Sequence, residues 1–213
     1  MSPDDRRRVL AAYHGGLTPA EDADLDRLLH LTPRRVEAGL SLPGLIRSYG
    51  VHRFEFGDLP YSLIRELMRK VNPGPRTSML DLGSGYGRIG LYGALMFQTR
   101  YTGIEIVAER VAAAQRAARE LKLPDVEFVH ADALRAAWPS ATCVCLMNSF
   151  LPSLLNEALP RLRGLCHAAE GVTFVAVSTA ASKLSEASWL DEDDDGQGGA
   201  DPFRLRVFRP KDL

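Results

Sequence analysis

Between residues 79 and 90 the chain reads MLDLGSGYGRIG. Three glycines, Gly83, Gly85 and Gly87, follow an apolar run, with Ser84 between the first two and Asp81 two residues ahead. Glycine lets a backbone turn tightly and lets a ligand lie against it. A strand, this loop and a helix would therefore make a cradle at the carboxyl end of a sheet. Glu105 closes the next apolar run, 24 residues after Asp81, and Asp132 closes the one after that, in VEFVHAD. Three acids at the ends of three successive strands point at one crevice.

Two ligand classes use such a crevice. A dinucleotide site wants a third glycine, where this chain has Arg88, and seats a pyrophosphate on the helix N-terminus. A carboxylate at Asp81 would repel that pyrophosphate. It suits a cationic amine instead. S-adenosylmethionine (SAM) carries an ammonium and a sulfonium and has no phosphate, so SAM is the expected cofactor. Glu105 is then placed to accept from both ribose hydroxyls. Asp132 is placed to accept from the exocyclic adenine amine, with the N–H of Ala133 nearby.

The partner of the cofactor is chosen at CLMNSFLP, where the fourth strand of this series ends. Asn148 falls where a transferable methyl would point. Its amide oxygen can hold an amine without adding charge, and Phe150 could wall the channel. Phe54, Phe56 and Tyr61 are further candidates for apolar walls. Metal chemistry finds no support, because the five His are scattered with no Cys or carboxylate at ligand spacing. Cys143 and Cys145 share one face of a buried strand and read as small apolar filler.

The elements that must hold these residues follow from periodicity. From residue 61 onward, buried strands alternate with amphipathic helices, which means a parallel sheet covered on both faces. The strands are SMLDL, YTGIEI, VEFVHAD, ATCVCLMNS and GVTFVAVST. Pro160 should kink or split the helix that follows the fourth strand. The tail breaks the rhythm: ASWL and FRLRVFRP flank the acidic loop DEDDDGQGGAD, which suggests a terminal hairpin. Residues 1–55 read as short helices forming an extension or lid, and residues 56–213 as the cofactor-binding domain. A capping box starts one of those helices at Thr18, Pro19 and Glu21.

The net charge of −1 implies no broad basic surface, so nucleic acid is not an expected partner. Three Cys form no disulfide framework, and the polar N-terminus MSPDDRRRVL has no apolar signal core. No run approaches a membrane span. The expected location is a reducing cytoplasm, and 22 Arg against 4 Lys suggests a GC-rich bacterial source.

Residues 76 to 178 resemble class I SAM-dependent methyltransferases. DLGSGYG is similar to their first motif, and Glu105 and Asp132 match the acids of the second and third. The resemblance implies a Rossmann-like sheet of parallel strands with a C-terminal antiparallel hairpin. Within that class, Asn148-Ser149-Phe150, the upstream FGDLPY and the tail resemble the non-SET histone-lysine methyltransferase (disruptor of telomeric silencing-like) family. That family has Asn-Asn-Phe at the first of these. The resemblance implies Asp58 as a second acid near the methionine end of the cofactor. It also implies N-methylation of an amine, such as a protein lysine side chain or a small amine; a small-molecule methyltransferase and a module that binds SAM without catalysis are the alternatives. Ser149, Asp58 and Phe56 stand where the family has Asn, Glu and Tyr. Transfer itself is an in-line displacement, for which placing a neutral amine about 3 Å from the methyl supplies most of the rate.

Overall fold

A computed structural model describes residues 19–49, 59–168, 171–193 and 204–211. Asp58, Phe54 and Phe56 lie outside the described residues, as do the helix expected before residue 17, Thr18 and the middle of the acidic tail loop. Three helices open the described chain: α1 (Pro19–Leu28), α2 (Pro33–Glu37) and α3 (Leu42–Tyr49). Then come α4 (Tyr61–Val71), β1 (Ser78–Leu82), α5 (Arg88–Phe97), β2 (Arg100–Glu105), α6 (Ala108–Leu121) and β3 (Val126–His130). The chain continues through β4 (Cys143–Leu146), α7 (Pro152–Ala168), β5 (Thr173–Ala176), α8 (Ser178–Ser185), β6 (Leu190–Glu192) and β7 (Arg206–Pro210).

Seven strands form one sheet in the order β3-β2-β1-β4-β5-β7-β6. The first five in sequence run parallel, and β7 enters antiparallel between β5 and β6. This is the Rossmann-like sheet with its terminal hairpin. The strand order reverses beside β1, which leaves a crevice at the carboxyl ends of β1 and β4, where ligands of such sheets bind.

Side-chain alternation sends the two halves of each strand to separate cores. Met79, Tyr101, Phe128, Cys143 and Cys145 pack on one face against α4, α5 and α6. Leu80, Leu82, Ile104, Val144 and Leu146 pack on the other against α7 and α8. Burial on both faces explains why β4 and β5 read as unbroken apolar runs. Leu25, Leu29 and Leu31 of the N-terminal segment are fully buried in the first core, so its described part packs into the body of the domain.

Two local details differ from the sequence reading, and a third, at Pro160, narrows it. Pro160 lies inside α7 without splitting it, and it is exposed, so water can satisfy the carbonyl its missing N–H leaves open. The fifth strand stops at Ala176. Ser178 then takes a left-handed φ of 54°, and the Ala- and Ser-rich stretch after it forms α8. Tyr61 begins α4 fully buried beneath Arg88, so it braces the helix and walls no channel.

Candidate active site

The loop between β1 and α5 is shaped by what presses on it. Gly83 has φ +82°, and a Cβ there would fall 2.4 Å from Cβ of Ser149, so only glycine lets the loop after β4 close on it. Gly87 caps α5 with φ +71°, and its missing Cβ leaves room for the Phe128 ring. These contacts shape a cavity of about 650 Å³ at the carboxyl ends of the strands. Asp81, Gly83, Ser84, Gly85, Glu105, Asp132, Ala133, Asn148 and Phe150 line it together. Gly87 stands behind the wall as a helix cap.

Each acid has distinct surroundings. Asp81 is 2 % exposed, and its Oδ2 accepts from the Tyr101 hydroxyl at 2.7 Å. Burial lifts its carboxyl to about 7; the Tyr101 bond opposes that rise and the neighbouring Glu105 charge adds to it. Its other oxygen, Oδ1, is buried without a partner, as is the hydroxyl of Ser149. Orphaned polar atoms beside a cavity want a polar ligand. Glu105 accepts the Gly85 N–H and the Val107 N–H, each at 2.9 Å, one per oxygen. Each of those oxygens keeps a second acceptor site. Asp132 is half-exposed and turns its own loop by accepting the Leu134 N–H at 2.8 Å. Arg161 ties that loop down: it donates to the carbonyls of Ala133 at 3.1 Å, Ala136 at 2.5 Å and Leu134, and stacks 3.8 Å above the Trp138 ring.

Asn148 is exposed at the rim with φ 58°, a left-handed turn that Asn tolerates better than most residues. Phe150 is half-buried beside it, and Glu157 of α7 lies on the same wall.

Sequence reasoning missed two buried arginines. Arg88 makes a bidentate pair with Asp26 of α1, at 2.8 and 2.5 Å, and donates to the Leu59 carbonyl at 3.0 Å. The Tyr61 hydroxyl also donates to Asp26, at 2.9 Å. Arg110 pairs with Glu37 of α2 at 2.8 and 3.1 Å. A charge is usually solvated, and partners 62 and 73 residues away leave no local signal. The one available hint was Arg88 standing where a helix start would otherwise be small or acidic.

Among the described residues no group of three or more His, Cys, Asp or Glu is set to hold a metal, and no helix is long and apolar enough to cross a membrane. All three Cys are described, and none lines the cavity. The Cys145 thiol is pushed well up by its hydrogen bond with Cys143 and by burial.

Residues 79–168 match the family described as "Methyltransferase domain". A 23S rRNA (uracil(747)-C(5))-methyltransferase RlmC of Xenorhabdus bovienii is 34 % identical over 136 residues, 64 % of this chain and 33 % of the relative. Its counterpart from Serratia proteamaculans is 48 % identical over 60 residues, 28 % of this chain and 16 % of the relative. The chain thus spans a third or less of the length of these curated relatives. Among solved structures, an RNA methyltransferase from Salinibacter ruber in complex with S-adenosyl-L-homocysteine is 26 % identical. It has a TM-score of 0.53, and the match covers 74 % of this chain and 96 % of that one.

Proposed function

We propose that this chain, which carries a class I SAM-dependent methyltransferase domain, transfers the cofactor's methyl group to a nitrogen atom. Bound SAM supplies an electrophilic methyl on a sulfonium. In this reading Asp81 Oδ1 meets the ammonium of the cofactor, and Glu105 offers its remaining acceptor sites to the ribose hydroxyls. Asp132, with the Ala133 N–H, meets the adenine, while Gly83, Ser84 and Gly85 bring backbone against the methionine end. Asp58 was expected to add a second acid at that end; it lies outside the described residues.

Asn148 at the exposed rim is the observation that carries the nitrogen reading. Its amide oxygen accepts from an N–H, and, being uncharged, it does not hold an amine protonated as a carboxylate would. Phe150 would exclude water from the same approach. A ring carbon such as uracil C5 is a weak nucleophile and needs covalent activation by a group such as a thiolate. The three Cys of this chain all lie away from the cavity, so nothing here supports that chemistry. The acid Glu157 on the wall favours approach of an amine, such as a lysine side chain or small amine, over a polyanion.

A base nitrogen in RNA is the second reading. The likeness to the Salinibacter RNA methyltransferase and to the rRNA relatives favours it.

Methyl-labelled SAM added to a bacterial lysate with the purified protein tests both. Label in protein or small amines supports the first reading, and label in RNA nitrogens the second. Label on a ring carbon would overturn nitrogen transfer altogether. Asn148→Ala should lower turnover by about 10²–10³, the usual loss of a positioning contact, while binding of S-adenosylhomocysteine survives. Unchanged turnover would remove Asn148 from the site.

A further inference from the structure

The loop from Asp132 to Ala136 is held from two sides. Its N–H groups turn back on Asp132: Leu134 donates to Oδ1 at 2.8 Å, and Arg135 and Ala136 donate to the main-chain carbonyl at 3.0 and 2.8 Å. Its carbonyls are taken by Arg161 of α7. One guanidinium nitrogen, Nη1, donates to the carbonyl of Ala133 at 3.1 Å and to that of Leu134, and Nη2 donates to that of Ala136 at 2.5 Å. The Trp138 indole N–H adds a bond to the Ala133 carbonyl at 2.7 Å, and its ring lies 3.8 Å from the guanidinium carbon.

The two sides are coupled through rigid peptides. In a trans peptide the C=O and the N–H point in opposite directions from one plane. The Ala133 carbonyl shares its plane with the Leu134 N–H, and the Leu134 carbonyl with the Arg135 N–H. Holding those carbonyls at Arg161 therefore aims both N–H groups at Asp132 and fixes its carboxylate and carbonyl. One donor is left over. Of the four N–H groups from Ala133 to Ala136, that of Ala133 alone has no hydrogen-bond partner among the described residues. Ala133 is 8 % exposed and lines the cavity beside Asp132. A buried N–H is rarely left unpaired, so this one suits an acceptor on a ligand. The neighbouring carboxylate keeps acceptor sites of its own. An acceptor beside a donor complements the edge of adenine, where an amine that donates adjoins a ring nitrogen that accepts. Hypoxanthine carries the reverse, an oxygen beside an N–H.

We propose that Arg161 is a positioning residue that sets the preference of the site for adenine: it holds the carbonyls of the loop so that Asp132 and the Ala133 N–H stay in register with the base. The proposal rests on reading the cavity as a SAM site. Arg161 does not itself line the cavity, but Pro152, Leu154 and Glu157, earlier in the same helix, do. One helix thus supplies both a wall of the cavity and the brace of its base-reading loop. Reaching three carbonyls at once takes the planar fork of an arginine, which the single ammonium of a lysine lacks.

The test is calorimetric titration of the whole chain with S-adenosylhomocysteine and with S-inosylhomocysteine, in which an oxygen replaces the adenine amine. The wild type should prefer the adenosyl ligand by about 30-fold, the scale of one hydrogen bond to a charged group. Arg161→Met keeps the stem and removes the fork. Affinity for the adenosyl ligand should then fall about tenfold and that for the inosyl ligand less than about twofold, so the preference shrinks about fivefold or more. A residue that only stabilised the fold would weaken both ligands alike and leave the preference intact. Arg161→Lys keeps the charge without the fork and should lose about threefold of the preference. Should Arg161→Met not fold, Arg161→Lys decides, and an unchanged preference there overturns the proposal. Equal loss of both ligands in Arg161→Met, or no loss of the adenosyl ligand, also overturns it. A wild type that binds both ligands equally leaves the SAM site standing and overturns this proposal, whereas one that binds neither overturns the function reading with it.

Discussion

The proposed pairing of Asp81 with the cofactor's ammonium predicts that cofactor affinity depends on pH in a calculable way. In the unliganded protein burial holds its carboxyl at about 7, against an ordinary 3.8. A bound ammonium favours the ionised form and should return the carboxyl toward its ordinary range. Binding then releases a proton from Asp81 wherever the free site is protonated. The apparent Kd should scale as one plus ten to the power of seven minus pH, which makes it about tenfold weaker at pH 6 than at pH 8. About 0.9 proton should leave per ligand at pH 6 and about 0.5 at pH 7. Above about pH 8 the ligand's own α-amino group loses its charge, so affinity falls again. Stability carries the same sign. The raised carboxyl binds a proton in the folded state that the unfolded chain has lost, so unliganded stability falls as pH rises from about 4 to about 7. Three pH units at about 1.36 kcal/mol each give a fall of order 4 kcal/mol. Calorimetry with S-adenosylhomocysteine, in buffers of different ionisation heat at pH 6, 7 and 8, reads the proton count directly. In Asp81→Asn the acid limb should vanish and affinity at pH 8 should drop about 10- to 100-fold, the range of a lost charged hydrogen bond. A Kd flat between pH 6 and 7.5 with no proton released, or an acid limb that survives in Asp81→Asn, would refute the assignment of Asp81 to the cofactor's amine.

Three further outcomes are expected. Gly83→Ala sets a Cβ against Ser149 at a φ of +82°, and should cost about 3 kcal/mol in urea melts, from left-handed strain and overpacking together, and abolish binding of S-adenosylhomocysteine. Asp26→Asn leaves the buried Arg88 short of its charge partner and should cost about 3–5 kcal/mol in the same melts. The exposed pair of Asp24 with Arg27 serves as its control, and Asp24→Asn should change stability by less than about 0.5 kcal/mol. Gln98→Gly removes a side chain from the left-handed residue that ends α5. It should gain about 0.5 kcal/mol, seen as a rise of about 1–2 °C in Tm by scanning calorimetry.

Much of the fold was legible because its signals are local. Apolar runs of four to six residues mark strands buried on both faces, and the helices between them carry 3.6-residue periodicity. The cavity acids were legible because a strand end fixes where a side chain sits, so Asp81, Glu105 and Asp132 could be placed from spacing alone. What escaped is what depends on distant parts of the chain. The insertion of β7 between β5 and β6 is decided by edge pairing, which no run of residues announces. Tyr61 looked like a channel wall because an aromatic near a site and an aromatic beneath it read alike; its hydroxyl turns out to serve Asp26. Residues 19–37 looked like an accessory because Asp26 and Glu37 resemble ordinary acids on amphipathic helices, and only the folded structure brings Arg88 and Arg110 to them.

Those two pairs also decide the charge of the cavity. Among the described residues four acids line it, Asp81, Glu105, Asp132 and Glu157, together with three arginines, Arg88, Arg110 and Arg135. Counted by residue the wall is nearly balanced, which would make a phosphate ligand conceivable. Counted by partnership it is not. Arg88 is engaged by Asp26, Arg110 by Glu37 and Arg135 by Asp132, the last at 3.4 Å. The first two partners come from the N-terminal helices and lie outside the cavity wall. They neutralise its two buried cations from behind while the carboxylates of Asp81 and Glu105 stay turned toward the ligand. A pyrophosphate would meet those carboxylates with the arginines already committed, whereas a sulfonium and an ammonium would meet them as counter-ions. On the proposed reading, a preference for a cationic nucleoside would be set as much by α1 and α2 as by the glycine loop. Asp26→Asn and Glu37→Gln, which each remove one negative charge beside a buried arginine, should both move the cavity toward anions, and weaker cofactor binding together with new affinity for pyrophosphate is the signature to look for.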